Sequence, residues 1–119
     1  MNARIMNIAS ADAAAEVPRR WVKVAQLEDI PRLGARVVPS RHGDIAVFRN
    51  AEDEVFALRD KCPHKGGALS QGIVAGKVVT CPMHAWKIQF ENGEAVAPDK
   101  GCAKTYPAKV EGGMVWIAL

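Results

Sequence analysis

Two short segments, Cys62-Pro63-His64 and Cys81-Pro82-Met83-His84, constrain this chain more than any other feature, the second cysteine falling seventeen residues after the first histidine. Each pair is short enough to sit on one loop, and four such side chains in a C-x-H…C-x-x-H order are candidate metal ligands. The fold has to bring both loops to one place. Each then contributes one thiolate and one imidazole, as happens when two loops pinch a binuclear iron centre with Cys on one iron and His on the other.

The segments around the motifs have the composition of strands. From Trp21 onward, short runs containing β-branched residues alternate with Gly, Pro, Asn and Asp: WVKVAQL, ARVVPS, DIAVFRN and EVFALRD precede the first motif. Residues 77–80 run into the second cysteine, and residues 86–90 alternate up to a Glu-Asn-Gly-Glu turn, so both ligand loops hang from strands. The tail adds a strand over 105–111, a Gly112-Gly113 hairpin turn and a strand over 114–119. Only residues 27–30 suit a helical turn, which Pro31 ends. Many short strands without a strong helix predict an all-β, antiparallel sandwich or barrel, with an inserted cluster-binding subdomain at about residues 61–90. Residues 1–18 are Ala-rich and are expected to form a flexible arm, leaving 19–119 as one domain.

Composition narrows the class of function. A chain of 119 residues has room for one ordinary core. The sequence shows no apolar run of membrane-spanning length and no signal-peptide pattern, so a cytoplasmic location is expected. Three cysteines, two of them in the ligand motif, fit a reducing compartment and a metal better than a disulfide framework. A formal charge of +3 with scattered basic residues and few aromatics does not point to nucleic acid.

The ligand set carries its own chemistry. Two thiolates and two neutral imidazoles cancel the charge of a diferric centre bridged by two sulfide ions, whereas four thiolates start two charges more negative and resist an incoming electron. Histidine-ligated centres accordingly lie at roughly −150 to +300 mV against about −400 mV for plant-type ferredoxins. Pro63 and Pro82 stiffen the loops and each removes one N–H donor. Gly66, Gly67 and Gly72 permit tight turning, and allow backbone N–H groups to approach the sulfurs. Zinc also accepts two Cys and two His, but structural zinc loops usually present C-x-x-C knuckles or a Cys pair followed by a His pair. A mononuclear iron oxygenase requires two His and a carboxylate, which the local sequence does not supply.

The runs CPHKGGALSQG and VVTCPMHAWKI resemble a Rieske iron-sulfur domain, and the resemblance extends from about residue 21 to 119. It implies a 2Fe-2S cluster with Cys62 and Cys81 on the inner iron and His64 and His84 on the solvent-facing iron. Rieske proteins of the cytochrome bc type carry an additional cysteine in each loop, joined as a disulfide, and a Ser and a Tyr after the second motif. Here Met83 occupies the second-loop cysteine position, and Trp86 and Ile88 stand where those hydroxyls would be. Losing sulfur-directed hydrogen bonds predicts a potential toward the lower end of the Rieske range.

Two low-potential families are similar to this chain: the ferredoxin component of aromatic-ring dioxygenases and the small subunit of assimilatory NAD(P)H nitrite reductase. The stretch GEAVAPDKGCAKTYPAKVEGGMVW, with Asp-x-Gly-Cys before Thr-x-Pro-x-Lys-Val-Glu, resembles the second. That resemblance implies a large partner subunit carrying FAD, a 4Fe-4S cluster and sirohaem, and joint reduction of nitrite to ammonium in nitrate assimilation. The chain has no dinucleotide glycine fingerprint, so alone it is expected to be redox-active without catalysis, serving relay or assembly. A non-redox, zinc-stabilised protein-binding module is the remaining reading.

Some residues admit two readings. Lys61, Lys65 and Lys87 form either a positive rim that docks on an acidic partner or an ordinary solvated surface. Trp86 covers the cluster from solvent or is a core residue. Cys102 is expected as a small buried side chain rather than a thiol at a subunit contact. His42, in Ser40-Arg41-His42-Gly43-Asp44, is expected in a turn apart from the ligands.

Overall fold

The computed structural model describes residues 20–41 and 43–119. The expected arm over 1–18 and the turn histidine His42 lie outside the described residues. The described residues form ten strands, β1 (Trp21–Gln26), β2 (Gly34–Val38), β3 (Ile45–Arg49), β4 (Val55–Arg59), β5 (Ile73–Ala75), β6 (Val78–Thr80), β7 (Lys87–Gln89), β8 (Thr105–Tyr106), β9 (Ala108–Glu111) and β10 (Met114–Ala118). Short 3-10 turns at Leu27–Asp29 and Leu69–Gln71 complete the regular structure. The architecture is all-β and antiparallel, as the strand grammar predicts.

The strands form three sheets, in the orders β1-β10-β9, β2-β3-β4-β8 and β5-β6-β7. The four-stranded sheet is the middle layer, because successive side chains of a strand point to opposite faces. In β3, Ile45 and Val47 enter one core with Ile30, Val115 and Ile117, while Ala46 and Phe48 enter another with Leu69, Val79 and Ile88. The second core also contains both motif cysteines, Cys62 and Cys81. The apolar run DIAVFRN therefore codes for burial on both faces of β3, whose residues 45–48 are all buried.

Two details depart from the sequence reading. The single strand expected over 105–111 is two strands in different sheets: Thr105 and Tyr106 pair with β4, whereas residues 108–111 pair with β10. Pro107 lies at the switch; it has no N–H for a ladder, although its carbonyl accepts from the Ala118 N–H at 3.0 Å. The second departure is β5, whose three residues are too few to stand out in the sequence, and which is exposed at Ile73 and Ala75.

One buried polar side chain joins the middle layer to the ligand-bearing one. Asn50, fully buried after β3, donates through Nδ2 to the Gly76 carbonyl at 3.2 Å and to Glu54 Oε1 at 2.8 Å. Its Oδ1 accepts from the Glu52 and Glu54 N–H groups at 3.0 and 2.9 Å. Gly76 belongs to the β5–β6 turn, so the hairpin between the two ligand loops is anchored at its tip. Among the described residues, no helix is long and apolar enough to cross a membrane.

Candidate metal centre

The two ligand loops share one backbone plan. In the first, the Cys62 N–H donates to the Gly67 carbonyl at 2.8 Å and the Gly66 N–H to the Cys62 carbonyl at 2.9 Å. In the second, the Cys81 N–H donates to the Trp86 carbonyl at 2.7 Å and the Ala85 N–H to the Cys81 carbonyl at 3.0 Å. Each loop thus closes on itself five residues after its cysteine. The residue before closure is left-handed in both, Gly66 at φ 76° and Ala85 at φ 60°. Glycine takes that conformation freely and alanine does not. The first loop is also tied at its base, where the Asp60 carboxylate accepts from Ser70 N–H at 2.7 Å and Ser70 Oγ at 2.8 Å.

Burial divides the four sequence-predicted ligands into two pairs. Cys62 and Cys81 are each 2% exposed, while His64 is half-buried and His84 exposed. The imidazole centres lie 4.8 Å apart, nearly perpendicular. Burial holds the Cys62 thiol above its ordinary range; the adjacent Cys81 thiol adds to the rise, and the backbone N–H groups of His64 and Lys65 oppose it. Those N–H groups favour the thiolate, so the loop supplies the donors a sulfur ligand needs once metal has displaced its proton.

Contacts between the loops complete the site. The Trp86 indole, from the second loop, stacks on the His64 imidazole of the first at 4.4 Å and 9°. Met83 lies over Gly67: a Cβ on that glycine would come within 2.8 Å of the Met83 sulfur and 3.3 Å of Cys81 Sγ. A side chain at Gly67 would displace Met83 and crowd the Cys81 sulfur, whereas Gly66 meets the turn. Trp86 turns out to be half-buried and specific, pinning a candidate ligand, while Met83 is 55% exposed and Ile88 is fully buried in the core beside the cysteines.

A third segment forms one wall of this end. Gly101 packs against both loops, where a Cβ would lie 2.9 Å from Pro63 Cβ and 3.6 Å from Trp86 Cζ3. Cys102 is exposed, correcting the expectation of a buried thiol. The chain is extended there, and alternation sends Ala103 inward at 4% exposure. Cys102 Sγ points to the Asn92 and Ala103 carbonyls at 3.5 and 3.6 Å. A groove of about 440 Å³ runs between Cys102–Lys104 and the first loop, and Lys61 and Lys65 line it. Lys87 is exposed on β7 and does not line it. The sequence reading missed Asp60, Ala85, Gly101 and Lys104, since none stands out by residue type.

The donor set suits a cluster with two metal ions. A buried thiol pair sits behind an imidazole pair that is half-buried at His64 and exposed at His84, and soft thiolates with imidazoles suit iron bridged by sulfide.

These features define a small iron-sulfur electron-transfer domain built on antiparallel sheets. Residues 20–107 match the Rieske [2Fe-2S] domain. The chain is 31% identical to the ferredoxin component of the naphthalene 1,2-dioxygenase system of Pseudomonas aeruginosa, over 84% of this chain and 96% of that protein. It is 35% identical to the 4beta-methylsterol monooxygenase of Methylococcus capsulatus over 62% of this chain, but spans only 23% of that longer protein. A candidate NADH-dependent nitrite reductase small subunit from Mycobacterium tuberculosis shares the fold at a TM-score of 0.77 and 20% identity, covering 85% of this chain and 96% of that one. The chain belongs to the Rieske [2Fe-2S] domain family. Its cofactor is the Rieske-type 2Fe-2S cluster, and its chemistry is electron transfer.

Proposed function

We propose that this chain is the small subunit of an NAD(P)H-dependent nitrite reductase, holding its 2Fe-2S cluster through Cys62, His64, Cys81 and His84. The observation that carries this reading is the segment Asp99 to Glu111, which resembles that subunit in sequence and contributes, through Gly101 to Lys104, to the wall beside the ligand loops. A family-specific segment placed there is in position to select a partner.

When bound, the cluster supplies a one-electron carrier. The chain's own residues set its surroundings: Cys62 and Cys81 hold the inner side in the core, and the imidazoles stand at the rim with His84 outward. Trp86 fixes the plane of His64, and self-closed loops limit rearrangement when charge changes. Catalysis belongs to a larger partner subunit bearing FAD, a 4Fe-4S cluster and sirohaem, and the pair would work in the cytoplasm.

A second reading, the ferredoxin component of an aromatic-ring dioxygenase, is favoured by the 31% identity to the naphthalene dioxygenase ferredoxin across nearly all of that protein. Anaerobic purification with co-purifying proteins separates the two. A sirohaem flavoprotein that reduces nitrite with NAD(P)H only when combined with this chain supports the first, and a ring-hydroxylating oxygenase supports the second. The reduced protein is expected to show the low-average-g EPR signal of a Rieske centre, lost on removing iron; a colourless zinc protein would overturn both.

A further inference from the structure

The groove beside the first ligand loop holds an excess of positive charge. Arg59, Lys61, Lys65 and Lys104 line it, and among the described residues no Asp or Glu does. The whole chain has 16 Lys and Arg to 13 Asp and Glu, so an average patch with four cations would include about three acids. The ion pairs found among the described residues fall elsewhere, at Arg32, Arg49, Lys77 and Lys109. Two of the groove cations are braced on one side chain. Arg59 Nη2 donates to the Tyr106 hydroxyl at 2.9 Å, and the Lys104 ammonium lies 5.4 Å from the centre of the same ring. Like charges held together repel, and an entering anion relieves that repulsion.

We propose that this groove receives an acidic segment, a stretch of peptide with several Asp or Glu, of the protein with which the chain exchanges electrons. Three of the four cations are exposed lysines on flexible stems, set on two chain segments 39 residues apart between Lys65 and Lys104. Such a spread suits a solvated polyanionic surface rather than one small oxyanion held in fixed geometry. His64 lines the groove with Cys62, and His84 does not. A segment docked there grips the flank of the first loop and leaves the exposed His84 facing the partner. The inference rests on the electron-transfer role and not on which partner is correct.

The test uses the cluster-loaded protein and a labelled hexaglutamate peptide as probe. Two double variants carry the same change in net charge: Lys65→Glu with Lys104→Glu in the groove, and Lys23→Glu with Arg36→Glu on exposed strand positions elsewhere. Both retain the cluster spectrum, since none of the four residues is a ligand. At about 25 mM salt the groove variant is expected to bind the peptide at least about tenfold more weakly and the control less than about twofold, the difference shrinking at about 150 mM salt. Equal weakening in both variants, or no binding by the wild type at low salt, overturns the proposal. Tyr106→Phe, which removes the brace on Arg59, is expected to weaken binding by less than the double reversal. A nitrite reductase large subunit that fails to bind the wild type counts against the preceding proposal, and the peptide result still decides this one.

Discussion

Gly66 and Ala85 occupy equivalent places in the two ligand loops, so substitutions there should act with opposite sign. Ala85→Gly removes the cost of a left-handed alanine and, after the entropy glycine adds to the unfolded chain, is expected to stabilise the apoprotein by about 0.5–1 kcal/mol. Gly66→Ala imposes that cost and should destabilise by about 1 kcal/mol or slightly more. Thermal unfolding of both proteins checks the pair; a shift in one direction for both would show that the loops are not equivalent. Trp86 stacks on His64, a proposed ligand, and is itself not one. Trp86→Ala frees the His64 ring and is expected to speed cluster loss to a chelator by about tenfold, with Trp86→Phe recovering most of the retention. Unchanged loss in Trp86→Ala would remove that role. The four Cys and His residues were legible in the sequence because thiol and imidazole at loop spacing are rare outside metal sites. Ala85 and Asp60 were not, since an alanine's backbone angle and an aspartate's distant acceptor role leave no mark in residue type.

Among the elements, side chains that close turns carry much of the connection between layers. Asn50→Ala takes the side-chain partner from the Gly76 carbonyl and the Glu52 and Glu54 N–H groups, and is expected to cost about 1–2 kcal/mol in denaturant unfolding. Faster amide exchange should appear at β5–β6 before β2–β3. Asp53, left-handed at φ 64°, bridges Arg32 and Arg49. Hydrogen bonds from those guanidinium groups lower its carboxyl below the ordinary value of 3.8. A lowered folded value means that its stabilisation is complete above the ordinary carboxylate range and is lost as pH falls through the lowered value. Asparagine tolerates the same backbone, so the stability gap between wild type and Asp53→Asn should stay constant down to that range and then close; a gap widening toward acid would contradict the assignment. Most strands were visible in the sequence because they are short runs with β-branched residues, set apart by Gly, Pro, Asn and Asp. The division at Pro107 was not, because the chain stays extended while changing sheets, and local composition does not record which neighbour a strand joins.

At the scale of the whole molecule, the middle sheet is a wall shared by two cores, and Phe90 is the main aromatic link from the ligand-bearing side. Its ring stacks on Phe56 at 4.7 Å and 5° and meets Phe48 at 4.8 Å. Phe90→Ala is expected to cost about 3–5 kcal/mol and to lower iron retention as well as stability, since the same core holds Cys62 and Cys81. Loss of stability with full iron retention would show that the two ends are less coupled than their shared core implies. At the opposite side, the Gly112-Gly113 turn joins β9 and β10 in the outer sheet of the other core, and a Cβ at either glycine would meet nothing within 4 Å. A tether attached at that turn would hold the protein to an electrode with its histidine rim turned outward, presenting every immobilised copy to a soluble redox partner in one orientation.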